Sequence, residues 1–195
     1  MAKQDPAAAK KARNKTIKWV ISIFLVTILV SGTISLVSDI VMEESSIGVA
    51  FLILFLIILV GIVFDIIGMA VATADEKPFH SMASRKVAGA QESIRLLRNA
   101  ERVSSICNDV VGDICGVVSG SASATIAIQV INHFDFTWPQ IVSLAMSSLA
   151  AGLTVGGKAV GKTFAVNSCT EIVHGVGRFI YGLRHFPDIF RKKKK

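Results

Sequence analysis

Residues 45–64 carry no charged side chain, and no other feature limits the fold of this chain as strongly. A helix of about 20 apolar residues is what crosses the hydrocarbon core of a bilayer. Three further stretches approach that length and character. The four expected spans cover about residues 17–37, 47–72, 104–131 and 141–155, the last continuing to 166 across Lys158 and Lys162. The chain has 195 residues, of which 52% are hydrophobic and 18% charged, with a mean hydropathy of +0.59. That excess of apolar surface needs lipid as a second solvent. The expected fold is an all-α integral membrane bundle of four transmembrane helices with juxtamembrane helices beside it.

The cations set an orientation. Lys3, Lys10, Lys11, Arg13, Lys15 and Lys18 precede the first span. Lys77, Arg85, Lys86, Arg95, Arg98 and Arg102 separate the second from the third. Arg178, Arg184, Arg191 and the four terminal lysines follow the fourth. The two remaining connections, 38–46 and 132–140, contain no Lys or Arg, and the first carries Asp39, Glu43 and Glu44. Every basic segment can therefore be cytoplasmic at once, with both termini inside a plasma membrane. The net charge of +7 lies beside apolar spans, which argues against a nucleic-acid partner. Residues 1–32 resemble a signal peptide, but the apolar run continues to Val37, longer than a signal core. It reads as an uncleaved anchor behind a basic tail, residues 1–16, that is disordered or loosely helical.

Outside the spans, the connection 75–103 contains a helix over 89–102, with Ala90, Ile94, Leu97 and Glu101 on one face and Arg95 and Arg98 on another. After the fourth span, Ile172, Val176, Phe179, Ile180, Leu183 and Phe190 form an apolar stripe backed by arginines. Residues 167–195 thus read as an interfacial helix and basic tail suited to anionic lipid headgroups.

Small residues recur at helical steps: Gly112, Gly116, Gly120 and Ala124 in the third span, Gly152 with Gly156 and Gly157 with Gly161 in the fourth. Such ladders let backbones approach closely. They are expected to serve packing within the chain first, and part of them a homodimer face. Six polar residues stand at membrane depth: Asp65, Asn108, Asp109, Asp113, Lys158 and Lys162. Each ionisable one costs ~2.5–3.5 kcal/mol on insertion scales, so they are expected to face inward and pair. With the spans alternating, they can converge at one depth near the cytoplasmic side. The string Gly156-Gly157-Lys158-Ala159-Val160-Gly161-Lys162-Thr163 matches a phosphate-binding loop formally, but no strand–helix alternation surrounds it, so no nucleotide is expected.

The order of motifs from the second span onward resembles the transmembrane domain of the cyclin-M (CNNM)/CorB/CorC magnesium transporter family, over roughly residues 50–175. Phe64-Asp65-Ile66-Ile67-Gly68-Met69-Ala70 is similar to the family's F-S-x-x-E-T-A motif. Ser93-Ile94-Arg95-Leu96-Leu97-Arg98-Asn99-Ala100-Glu101-Arg102 is similar to A-L-R-L-L-x-N-P-E-R. Asn108-Asp109-Val110-Val111-Gly112-Asp113 resembles G-N-x-L-V-N, and Gly157-Lys158-Ala159-Val160-Gly161-Lys162-Thr163 resembles G-E-I-x-P-K-T. No CBS pair follows, and the first span is an addition to a three-helix core.

The resemblance implies Mg²⁺ transport by a homodimer, with Asp65 and Asn108 as metal-site positions. The departures are as informative. Asp65 stands at the family's serine and Lys158 at its glutamate, and an ammonium cannot ligate a metal. The matched exchange implies that Lys158 reaches Asp65. Two readings follow: a modified cation path in which Lys158 is a displaceable tethered cation, or a non-transporting membrane scaffold or partner protein whose relic site is filled by the Asp65–Lys158 pair. No nucleophile–base pair marks an enzyme. Cys107, Cys115 and Cys169 read as small buried residues, and His80, His133, His174 and His185 as loop or interface residues.

Overall fold

The computed structural model describes the backbone of residues 6–43, 45–134 and 138–192, and the side chains of 17–42, 45–134 and 138–184. Among the described residues the chain is all helix, with no strand. The elements are α1 (Pro6–Glu43), α2 (Ile47–Thr73), α3 (Lys77–Ser84), α4 (Ala90–Arg98), α5 (Ala100–Ser105), a π-helical turn (Ile106–Val111), α6 (Gly112–Phe134), α7 (Pro139–Asn167) and α8 (Cys169–Lys192). Among the described residues, four segments are long and apolar enough to cross a membrane: Ile17–Met42, Ile47–Thr73, Ala100–Phe134 and Pro139–Asn167. The chain is thus an all-α helical bundle of multi-pass membrane type. The basic segment after Pro6 is continuous with the first span in α1. Residues 1–5, Glu44 and the last three lysines, and the side chains of Phe190, His185 and Arg191, lie outside the described residues.

The bundle is organised around α2, the span without charges at its start. Both α6 and α7 pack along it and against each other, whereas α1 leans on α6 and scarcely meets α2. Two apolar clusters hold the ends of α2. Near its start, Ala50, Leu54 and Ile58 meet Met42 of α1 and Ala122 and Ile126 of α6. Near its end, Ala70 and Val71 meet Phe79, Ile94, Leu97, Ala165 and Val173. That second cluster ties α3, α4 and the start of α8 into a cap beyond the C-terminal ends of α2 and α7. Large apolar side chains on α1, α2 and α7 face outward in numbers, Leu29, Leu52, Leu144 and Val155 among them. Surface of that kind is stable in lipid rather than water.

The cap follows the sequence in part. Ala90, Ile94 and Leu97 are buried and Arg95 and Arg98 exposed, as their spacing predicts, while Glu101 is exposed. The expected single helix breaks at Asn99 (φ −116°, ψ 26°), whose side chain donates to the Arg95 carbonyl at 3.0 Å. Gly89 has φ +85°, and a Cβ there would lie 2.5 Å from the Arg178 backbone nitrogen, so only glycine lets α4 start so close to α8. The apolar stripe of α8 is divided. Val173 is buried with Gly177 against α4, and Phe179 and Leu183 remain exposed.

Candidate functional site

The middle of the bundle contains one buried carboxylate, and it has found a cation. Asp65 lies on the inner face of α2, its side chain 5% exposed, and Lys158 of α7 brings its Nζ to 3.9 Å from Asp65 Oδ1. The Asp65 position is about 12 Å along α2 from Thr73, at 1.5 Å rise per residue. Lys158 also donates to the Gly112 carbonyl at 3.3 Å and stands 4.0 Å from Asp113 Oδ1 at the rim of the site, a side chain that is 73% exposed. The ammonium therefore sits among oxygens from α2 and α6. Its approach depends on Gly112, where a Cβ would lie 3.3 Å from Nζ and 3.8 Å from Asp65 Oδ1.

The carboxylate is not saturated by this contact. At 3.9 Å the pair is longer than the ~2.7–2.9 Å of a charge-assisted hydrogen bond. Among the described residues, Asp65 Oδ2 is buried without a hydrogen-bond partner, and so is Asn108 Oδ1. Asn108 stands one turn further along the α2–α6 contact. Its amide nitrogen donates to Ser104 Oγ at 3.3 Å, and its side chain fits only because residue 68 is glycine, whose absent Cβ leaves it room. Asn108 and Asp109 ride on the π-helical turn Ile106–Val111. Such an inserted turn alters the direction of side chains locally and often marks functional sites.

Of the six polar residues singled out from the sequence, Asp65 and Lys158 meet in the interior, and Asn108 is half-buried one turn away, against Gly68. Asp113 joins from the rim. Asp109 and Lys162 do not join: both are exposed, and Asp109 accepts a hydrogen bond from Ser105 on its own helix at 2.9 Å. Among the described residues, no three His, Cys, Asp or Glu side chains gather as a metal-holding group. Asp65 Oδ2 and Asn108 Oδ1 are each oxygen donors of the hard kind that Mg²⁺ takes, an ion that characteristically keeps several waters beside one or two carboxylates.

The glycine ladders divide as well. Gly112, Gly157 and Gly161 sit at close helix contacts, the last two under Ile62 and Ile66 of α2, whereas Gly116, Gly120, Gly152 and Gly156 have nothing within 4 Å of a Cβ position. Gly61 and Gly68 of α2, which were not singled out, are as tightly packed, against Cys115 and against Cys107 with Asn108. Their spacing of seven signals one helix face. A second polar group also escaped the sequence reading. Asp39 of α1 accepts hydrogen bonds from Ser121 at 3.1 Å and Thr125 at 3.2 Å, and Gln129 donates to the Met42 carbonyl at 2.6 Å. The repeat Ser121, Thr125, Gln129 at steps of four is the signal that could have found it. Cys107 is buried, and Cys115 and Cys169 are half-buried. His80, His133 and His174 lie within helices rather than loops.

Comparisons of the chain with protein-family models, with curated proteins and with solved structures give no match.

Proposed function

We propose that the chain moves a divalent cation, Mg²⁺ in the first instance, across the plasma membrane, and that the Lys158 ammonium is a tethered cation that holds the path when the ion is absent. One observation carries this reading. Two buried oxygens, Asp65 Oδ2 and Asn108 Oδ1, have no hydrogen-bond partner among the described residues, and the ammonium nearest the carboxylate stands 3.9 Å from its other oxygen, Oδ1. Burying unpaired acceptors is costly, and intramembrane charge is usually retained for function. A cation that arrives with its water would satisfy both oxygens, and Lys158 has room to withdraw because its side chain is 20% exposed. The motif resemblance to the cyclin-M/CorB/CorC transmembrane domain points to the same ion.

In this reading both termini are cytoplasmic, so the cap of α3, α4 and α8 and the nearby ion site lie on the inner side. The open glycines Gly116, Gly120, Gly152 and Gly156 form the homodimer face, and the basic C-terminal tail rests on anionic headgroups.

A second reading has its own support. Lys158 is held at three points, by Asp65, Asp113 and the Gly112 carbonyl, as a permanent filling of a relic site would be, and the protein would then be a scaffold or partner in the membrane. Mg²⁺ flux into proteoliposomes separates the two. Transport predicts flux with wild type that is lost in Asp65→Asn. Absence of flux in wild type with flux gained by Lys158→Glu would establish the filled site and overturn the transport reading.

A further inference from the structure

A cleft of about 450 Å³ opens in the cap, between the turn that joins α3 to α4 and the exposed side of α8. Its charged lining is Lys86, Glu92, Arg95 and Arg184. Glu92 is buried and is the only acid among these four. Its Oε1 accepts from Arg95 at 3.0 Å and from Arg184 at 2.9 Å. Two guanidinium groups thus share one carboxylate oxygen. Each bond uses one terminal nitrogen, and a guanidinium carries five N–H donors. Lys86, whose backbone φ is +58°, lines the cleft and makes no ion pair among the described residues. The cleft has three cations and one anion, and its surplus is met by no acid on its lining.

We propose that this cleft binds a phosphate group, with Lys86, Arg95 and Arg184 as its donors and Glu92 as the buried post that orients both guanidinium groups. Arginine forks match phosphate oxygens in pairs, and the volume admits a glycerophosphate-sized group. The surroundings favour phosphate on a lipid. The cap begins where the candidate spans α2 and α7 end, the level at which headgroups would lie, and α8, which lines the cleft with Tyr181 and Arg184, also leaves Phe179 and Leu183 exposed. Apolar side chains there insert below the phosphate layer while the arginines stay at it. This site is separate from the lysine tail at the chain's end. It does not depend on the ion path.

The experiment measures calorimetric binding of dihexanoyl phosphatidic acid, dihexanoyl phosphatidylcholine and inorganic phosphate to the full chain in detergent. Lys86→Asn removes a charge while keeping a residue that tolerates positive φ, so it tests the charge without disturbing the turn. A basic side chain near a headgroup contributes ~1 kcal/mol, about fivefold in affinity. The expected result is phosphatidic acid binding that is about fivefold weaker in Lys86→Asn and again about fivefold weaker when Arg184→Gln is added, with the helical circular dichroism spectrum unchanged. Glutamine at the four terminal lysines should leave those ratios intact. Competition by inorganic phosphate identifies the phosphate alone as the recognised group, and its failure to compete identifies the lipid. Equal binding by wild type and Lys86→Asn, equal binding of phosphatidylcholine, or loss only in the tail variant would overturn the proposal.

Discussion

Removing Lys158 should damage the bundle, and removing Asp65 with it should repair most of the damage. The separation of 3.9 Å corresponds to a Coulomb attraction of about 4 kcal/mol at an effective dielectric of ~20. The 4.0 Å contact with Asp113 adds little, because an exposed partner is screened and such pairs contribute about 0–1 kcal/mol. Lys158→Met leaves the buried Asp65 carboxylate without its cation, so the expected loss is ~3–5 kcal/mol, the range for breaking a buried pair on one side. Asp65→Asn should cost less, ~1–3 kcal/mol. Its partner is 20% exposed and retains the Gly112 carbonyl at 3.3 Å. The double variant has no charge to strand, and a neutral replacement of a buried pair is often tolerated. With the double variant within ~1 kcal/mol of wild type, the interaction energy from the four proteins should therefore be about 3–7 kcal/mol. It is read from unfolding in mixed micelles of dodecyl sulfate and a mild detergent, followed by circular dichroism. Additivity within ~0.5 kcal/mol, the behaviour of independent sites, would show that the two charges are not coupled and would remove the basis for calling Lys158 a tethered cation.

Three further outcomes follow from the same packing. Gly161→Ala places a Cβ 2.8 Å from Ile66 and should cost ~1–3 kcal/mol by overpacking, whereas Gly156→Ala meets nothing within 4 Å and should be within ~0.5 kcal/mol of wild type in the same micelle assay. If Gly156→Ala instead weakens self-association in a crosslinking series, the open glycines face a second copy. Asp39→Ala removes the acceptor for Ser121 and Thr125 and should cost ~1 kcal/mol, near the usual worth of a hydrogen bond between membrane helices. A disulfide engineered between α1 and α6 should then form more slowly, and an unchanged rate would show that apolar contact alone holds α1. For topology, a cysteine replacing Lys86 should react with impermeant maleimide only after the membrane is opened, and one replacing Ser45 should react in intact cells. The reverse pattern would invert the orientation.

The spans were legible because lipid leaves a strong mark on composition. The second was expected to end at Ala72 and ends at Thr73. The fourth continues through Lys158 to Asn167, although its hydropathy alone falters at the lysines. Lys158 is tolerated there because α2 supplies an opposing charge, Asp65 at 3.9 Å, and periodicity alone does not name that partner. What could not be read was azimuth. Asp109 and Asp113 sit four residues apart, one across the junction between a π-helical turn and an α-helix, and whether either points inward depends on an irregular turn that no local pattern predicts. Lys162 follows Lys158 by one turn yet is exposed, because the inward face of α7 there is taken by Gly161 and Ala165. The Asp39 cluster is harder to read for a different reason: the repeat Ser121, Thr125, Gln129 marks the donor face of α6, but the acceptor lies more than 80 residues away, and periodicity within one helix does not name its partner.

The placement of the two apolar clusters limits how the interior site can open. α2 is clamped near its start by Met42, Ala122 and Ile126 and near its end by Phe79, Ile94, Leu97 and Val173. Between the clamps, Gly61 and Gly68 press it against α6, and Gly157 and Gly161 receive its Ile62 and Ile66. Close-packed contacts of this kind are bistable rather than elastic, so α2 is the least able of the four long helices to move alone. α1 is different. It touches α2 hardly at all, and an apolar crevice of about 300 Å³ separates Ile34 of α1 from Val60 of α2 and Cys115 of α6. Lys158 is different too, since its long stem can swing the ammonium toward Asp113 and the rim without moving any helix. The cheapest change that uncovers Asp65 is therefore a rotamer change of one lysine. On the transport reading, a gate of that size would need no domain motion, and its control would lie in Lys158.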